Sequence, residues 1–210
     1  KRGYNMENRL KQQMDFMLEI DKLKKIRRQT YLSDASCKEN DAEHSWHLAM
    51  MCLLISEYAN EKIDKFKAMA MVLIHDIIEI DAGDTYAYDA LANESKHERE
   101  LNAAKRIFNI LPKDQADYMM NLWLEFEERK TPEAKFAASV DNLQPMMLNA
   151  ASGGLSWYEH DVKLSQIINR NNITKKGAES LWDYAYYNYI MPNMYNGNIF
   201  NDFENIDMTR

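Results

Sequence analysis

The chain has 210 residues, 46% of them hydrophobic, with six glycines and four prolines. That fits one large domain with an ample core and argues against a disordered or collagen-like chain. The formal net charge of −7 argues against a broad nucleic-acid or membrane surface, because phosphate backbones need clustered Lys and Arg. It leaves room for a small phosphorylated substrate, since one metal ion and one or two arginines can neutralise a single phosphate locally.

Taken in chain order, Leu10, Met14, Met17 and Leu18 recur at three-four spacing and predict a first helix over Met6–Lys25 with a one-sided apolar stripe. Ile26-Arg27-Arg28-Gln29-Thr30 and a polar loop through Asn40 follow. Asp41 reads as the N-cap of a second helix that buries Trp46, Ala49, Met50, Leu53 and Leu54 and ends by Asn60-Glu61. A third helix, Asp64–Ile80, is apolar almost all round and therefore central. It stops at the turn Asp81-Ala82-Gly83-Asp84. Ser95-Lys96-His97-Glu98 reads as a capping box for a helix to Leu111, broken by Pro112-Lys113. The next helix carries Met119, Leu122, Trp123 and Phe126. Thr131-Pro132 starts another, which passes Asp141 and is expected to kink or shift at Pro145. After Gly153-Gly154, a last helix spans Thr174–Ile190, and Met191–Arg210 shows no period. No strand with convincing alternation stands out. The expected architecture is an all-α, single-domain helical bundle over 1–190, with 191–210 a tail packing on the domain or a partner.

Cys37 and Cys52 allow at most one bridge and form no C-x-x-C. No signal-peptide pattern opens the sequence, and no apolar run nears about eighteen residues. A reducing, cytoplasmic setting is the expectation.

The chemistry concentrates where the third helix ends. His75 and Asp76 are adjacent in an otherwise apolar segment, and Glu79 follows one turn later on the same face. A buried, unpartnered polar group costs roughly 2–7 kcal/mol, and a shared cation would offset that. By itself a His-Asp pair is as readily structural as functional. His44 opens the second helix, however, and Asp141 lies among Ala137, Ala138, Val140 and Leu143, a poor helix former in a place that should face inward. Two histidines and two aspartates from three helices make a mixed nitrogen and oxygen site for one divalent ion, with positions left for water.

The order His44, then His75-Asp76, then Asp141 resembles the H…HD…D signature of the HD-domain metal-dependent phosphohydrolase superfamily. Ile26-Arg27-Arg28, Glu39-Asn40-Asp41-Ala42-Glu43-His44-Ser45, His75-Asp76-Ile77-Ile78-Glu79, Gly83-Asp84 and Ala134-Lys135-Phe136 are similar to the subgroup of bacterial 5′-deoxynucleotidases and related HD-domain-containing proteins. The resemblance spans roughly residues 10–150. It implies an HD-type helical bundle with His44, His75, Asp76 and Asp141 as ligands. It makes Glu79 the catalytic carboxylate beside the attacking water and Asp84 a water-orienting carboxylate. Arg28 becomes the phosphate-facing arginine, with Arg27 as fallback. In the deoxynucleotidases a tryptophan follows that arginine and helps select deoxyribose. Gln29 stands there in this chain, a departure that bears on the sugar preference and on the substrate class.

The implied activity is hydrolysis of a nucleoside 5′-monophosphate to nucleoside and phosphate, with Mn²⁺, Co²⁺, Fe²⁺, Zn²⁺, Ni²⁺ or Mg²⁺ as the single ion. Gln29 favours the alternative of another phosphate ester: a triphosphate, cyclic nucleotide, alarmone or sugar phosphate. A non-catalytic metal-holding module is a third reading, disfavoured by Glu79 and Asp84. A homodimer is expected, with no nucleic-acid polymer or membrane as partner. His47, His97 and His160 read as packed or solvated, and Tyr86 or Tyr88 could border the pocket.

Overall fold

The computed structural model describes residues 2–83 and 96–203. Asp84, Tyr86, Tyr88, Ser95 and the last seven residues lie outside the described residues. Helix α1 (Arg2–Ile20) runs into a 3-10 turn at Asp21–Lys25, then a two-stranded antiparallel hairpin, β1 (Arg27–Tyr31) and β2 (Lys38–Asn40). Helices α2 (Asp41–Ile55) and α3 (Lys65–Ile74) follow. A 3-10 segment, His75–Ile78, joins α3 to the short α4 (Glu79–Ala82), which Gly83 closes with φ +76°. Then come α5 (Lys96–Phe108), α6 (Lys113–Glu128), the 20-residue α7 (Pro132–Ala151) and α8 (Leu155–Glu159). Four short helices end the bundle: α9 (Leu164–Arg170), α10 (Asn172–Gly177), α11 (Glu179–Ala185) and α12 (Met191–Tyr195), the last two joined by a π-helical stretch at Tyr186–Ile190. Among the described residues, no helix is long and apolar enough to cross a membrane.

Helix α7 is the axis. It packs against α2, α3, α6 and α10. Its small inner face, Ala134, Ala137, Ala138 and Ser139, is buried, and small side chains let the neighbouring backbones approach. The closest approach is at Gly177, where a Cβ would collide with the Lys135 carbonyl and the Ser139 hydroxyl. Thr131 caps α7 as its sequence predicts, its Oγ1 accepting from the Ala134 N–H at 3.3 Å, and Pro132 occupies the first turn. The helix continues six residues past Pro145. A proline cannot donate to the carbonyl four residues back, so the Asp141 carbonyl lacks its helical donor.

Several expectations are corrected. The stretch 27–40 is a hairpin rather than a polar loop with no strand: the strands are too short, and their ladder too irregular, for alternation to register. The N-cap of α2 is Asn40, not Asp41. Asn40 Oδ1 accepts from the Glu43 N–H at 3.0 Å, while Glu43 accepts from the Asn40 N–H at 2.9 Å, a reciprocal capping box. The α2 face assigned to the core is largely the outer one: Trp46 is 65% exposed, with Met50 and Leu54 also outside, while His44, Ser45, Leu48, Met51 and Cys52 are buried. The α1 stripe Leu10, Met14, Met17 and Leu18 likewise faces outward, and Phe16 enters the core. The helix expected over Thr174–Ile190 breaks at Ala178. Residues 191–203 hold a helix and buried Met194 and Ile199, with Phe200 hydrogen-bonded to Val162 and Leu164.

Candidate functional site

The site forms where α2, α7 and the α3–α4 junction meet β1. The 3-10 turn at His75–Ile78 is tighter than an α-helix, and it keeps His75, Asp76 and Glu79 all buried on the inner side. His44 projects from the first turn of α2 and Asp141 from the middle of α7. One nitrogen or oxygen from each of His44, His75 and Asp141 lies within 4.8 Å of the other two. His44 Nε2 is 3.1 Å and His75 Nε2 3.5 Å from Asp141 Oδ1. Asp76 stands beside them, its Oδ1 3.1 Å from His75 Nε2 and its Oδ2 3.9 Å from His44 Nε2.

Both imidazoles present Nε2 inward because Nδ1 is committed elsewhere. His75 Nδ1 lies 2.9 Å from the Val72 carbonyl oxygen, an acceptor, so Nδ1 carries the proton. His75 Nε2 is then left buried without a hydrogen bond. His44 Nδ1 meets Gln144 Oε1 at 3.0 Å. One unpartnered imidazole nitrogen, a second imidazole nitrogen that meets only a carboxylate, and that carboxylate's oxygen share one buried point, a donor set that suits a divalent cation.

The charge count points the same way. Glu39, Asp41, Asp76, Glu79 and Asp141 surround a single guanidinium, that of Arg28. Arg28 Nη1 donates to Asp76 Oδ2 at 2.7 Å and Asp41 Oδ1 at 3.1 Å. A second group of carboxylates, Asp41, Asp76 and Glu79, also converges within 4.8 Å. Crowded together, these groups favour holding protons. Burial and Asp76 push Asp41 up to about 7, against the pull of Arg28. Burial and Arg28 oppose a charged His44, but the acceptors Asp141 and Glu39, with Asp76, overcome them and push it up to about 9. Burial likewise opposes a charged His75, which Asp76 and Asp141 nonetheless raise. Asp141, whose burial would raise it, is held well below the usual carboxylate range by both imidazoles. Asp76 is held low by His75 and Arg28 against the same burial.

The structure thus brings together His44, His75, Asp76, Asp141, Glu79 and Arg28. It places Arg27 and Gln29 elsewhere. Successive strand residues alternate in direction. Arg28 turns to Asp76, whereas the Gln29 amide accepts from Lys38 Nζ at 2.6 Å and Arg27 donates to the Lys38 carbonyl at 3.0 Å. His47 approaches Gln144 at 3.4 Å and stays outside the ligand group. His97 is exposed. Three further residues belong to the site, Glu39, Asp41 and Gln144. Gln144 carried a usable signal, because it lies three positions after Asp141 on the same helical face. Asp41 and Glu39 stand out only through the resembling stretch Glu39–Ser45, since acidic residues before a helix are otherwise ordinary.

The HD-domain family profile matches residues 20–182. A 5′-deoxynucleotidase from Dictyostelium discoideum is 32% identical over 164 residues, 75% of this chain and 82% of that protein. The human 5′-deoxynucleotidase HDDC2 is 29% identical over 139 residues; the match spans 66% of this chain and 66% of the human protein, about two thirds of its length. A crystal structure described as that of a predicted metal-dependent phosphohydrolase from Magnetospirillum magnetotacticum superposes with a TM-score of 0.87 at 44% identity. It covers 92% of this chain and 96% of that one.

Proposed function

The chain belongs to the HD-domain family, and on that premise we propose that it is a metal-dependent phosphohydrolase acting on nucleoside 5′-monophosphates, releasing nucleoside and phosphate. The observation that carries this reading is the convergence of the His44 and His75 Nε2 atoms on Asp141, the latter nitrogen buried without a hydrogen bond, beside the Arg28 guanidinium and the Glu79 carboxylate. The 5′-deoxynucleotidase relatives support the substrate class.

His44, His75 and Asp141 would hold the divalent ion, with Asp76 completing the set from its place between His75 and Arg28. Bound there, such an ion supplies Lewis-acid polarisation of a phosphoryl oxygen and makes an attacking water more acidic. Arg28 orients the phosphate, since a guanidinium matches phosphate oxygens in two-point fashion. Glu79 takes the proton of the attacking water and returns it to the departing 5′-oxygen of the nucleoside. Asp84 is assigned the neighbouring water-orienting role from its sequence position alone. Mn²⁺ and Co²⁺ are the ions expected to work well.

The test is phosphate release from ribo- and deoxyribonucleoside 5′-monophosphates with Mn²⁺, Co²⁺, Mg²⁺ or EDTA, for wild type and Glu79→Ala. Turnover that requires both metal and Glu79 carries the reading. A folded, metal-loaded protein inert on every monophosphate sinks it. Gln29, held by Lys38 where the deoxynucleotidases have their tryptophan, favours a second reading, hydrolysis of another phosphate ester. Di- and triphosphates, cyclic nucleotides and sugar phosphates form that arm of the panel.

We further propose that the working form is a homodimer. Met6, Leu10, Met14, Met17 and Leu18 of α1 are all more than half exposed. Beside them an apolar groove lined by Met17, Leu23, Trp46, Leu73 and Ile77 opens on the same face. Apolar patches this extensive mark interfaces, and one face carrying both knobs and a groove suits an isologous two-fold contact. Two free cysteines, Cys37 exposed and Cys52 buried, support a reducing, cytoplasmic setting.

A further inference from the structure

Behind His44, on the side away from Asp141, lies a buried polar chain that the proposed reaction leaves unexplained. Gln144 is fully buried on α7, one turn beyond Asp141, and Glu39 is 1% exposed in the middle of β2. Gln144 Nε2 donates to Glu39 Oε2 at 2.9 Å, and Gln144 Oε1 meets His44 Nδ1 at 3.0 Å. Glu39 Oε1 lies 3.4 Å from His44 Nδ1 and 3.7 Å from Arg28 Nε.

The chemistry of these groups leaves one arrangement. A carboxylate only accepts, so the amide edge facing Glu39 must be the NH₂. The second N–H of that NH₂ faces His47 Nδ1 at 3.4 Å. The amide oxygen is then forced toward His44, and Nδ1 must carry a proton to meet it. The other neighbour of Nδ1, Glu39 Oε1, is also an acceptor and imposes the same requirement. A neutral His44 in this setting can have its lone pair only on Nε2, the nitrogen 3.1 Å from Asp141 Oδ1. Arg28 meanwhile finds behind its Nε a carboxylate that does not belong to the metal group.

We infer that Glu39 and Gln144 are positioning residues that lock His44 in its metal-binding tautomer and tie that histidine to the phosphate-facing Arg28 through one shared carboxylate. The inference rests on the metal-site reading above. Loss of such an outer partner typically weakens metal binding about 10–100-fold. Gln144→Leu, which keeps the volume and removes the acceptor, should weaken Mn²⁺ binding to the full chain by about that factor. Glu39→Gln should weaken Mn²⁺ binding less and raise KM for the phosphate ester more than it lowers kcat, because Arg28 loses the carboxylate behind its Nε and keeps only those of the metal side.

The deciding variant is the exchange Glu39→Gln with Gln144→Glu. It restores a donor at 39 and an acceptor at 144, so His44 Nδ1 again donates to residue 144. Calorimetric Mn²⁺ titration should recover most of the wild-type affinity in the exchange variant, while the raised KM persists. A purely structural role would move none of these readouts selectively. Wild-type Mn²⁺ affinity in folded Gln144→Leu, or no recovery in the exchange variant, overturns the inference alone. Should Gln144→Leu fail to fold, the comparison of Glu39→Gln with the exchange variant decides by the same criterion. Failure of the wild type to bind Mn²⁺ at all overturns the site reading, and the inference with it.

Discussion

Asp41 and His44 on the inner side of α2 are sealed from solvent, while Trp46, Met50 and Leu54 on the outer side of the same helix stand in it. The two sides reverse the usual sorting of a surface helix, in which apolar residues go in and charged ones out. Each reversal needs its own compensation. Inside, buried carboxylates are tolerable because Arg28, the imidazole protons and a divalent ion can balance them. Outside, a stripe of Trp, Met and Leu continuous with that of α1 is tolerable if a second copy covers it. Neither region is explained by hydrophobicity alone.

The sharpest way to break the inner region is to remove a ligand. His75→Ala or Asp141→Asn should abolish stoichiometric metal content and lower turnover by about a thousandfold or more, read by elemental analysis and phosphate release. Next is Glu79→Gln, expected to retain the metal and lose about 10²–10⁴-fold in kcat. Equal activity in this variant would remove Glu79 from the proton transfer.

The outer region is tested by Trp46→Glu with Leu10→Glu. These should shift the protein to monomer in light scattering, with association weakened about 30-fold or more if Trp46 is an anchor. A wild type that is already monomeric at all concentrations would leave the α1–α2 face without its partner.

The smallest effect is a pH dependence confined to the inner region. In the metal-free protein His44 is raised from 6.5 to about 9. The stability it contributes is therefore present below 6.5 and lost as pH climbs through 9. Asp41, raised from 3.8 to about 7, adds a loss of the same sign between those values. EDTA-treated protein should melt at lower temperature as pH rises from 6.5 to 9. Because an ion must displace the His44 proton, Mn²⁺ affinity should rise about tenfold per pH unit over the lower part of that window and level off toward 9. A flat profile would mean that His44 is already neutral.

What the sequence by itself determined is the chemistry of the centre and the type of most elements. His75-Asp76 in an apolar helix and Asp141 in an alanine-rich one are anomalous wherever the chain folds, and Thr131-Pro132 starts a helix by local rules alone. The all-α character followed from local preference in the same way. Tertiary structure alone decided which way α2 faces, because a helix with apolar residues on several sides has no intrinsic phase; its packing against α3 and α7 set it. The hairpin pairing turns Arg28, which the resemblance already pointed to, toward Asp76 and its fallback Arg27 away from it. And tertiary structure recruited Glu39, Asp41 and Gln144, whose roles exist only once β2, α2 and α7 are brought within hydrogen-bonding distance of His44 and Arg28.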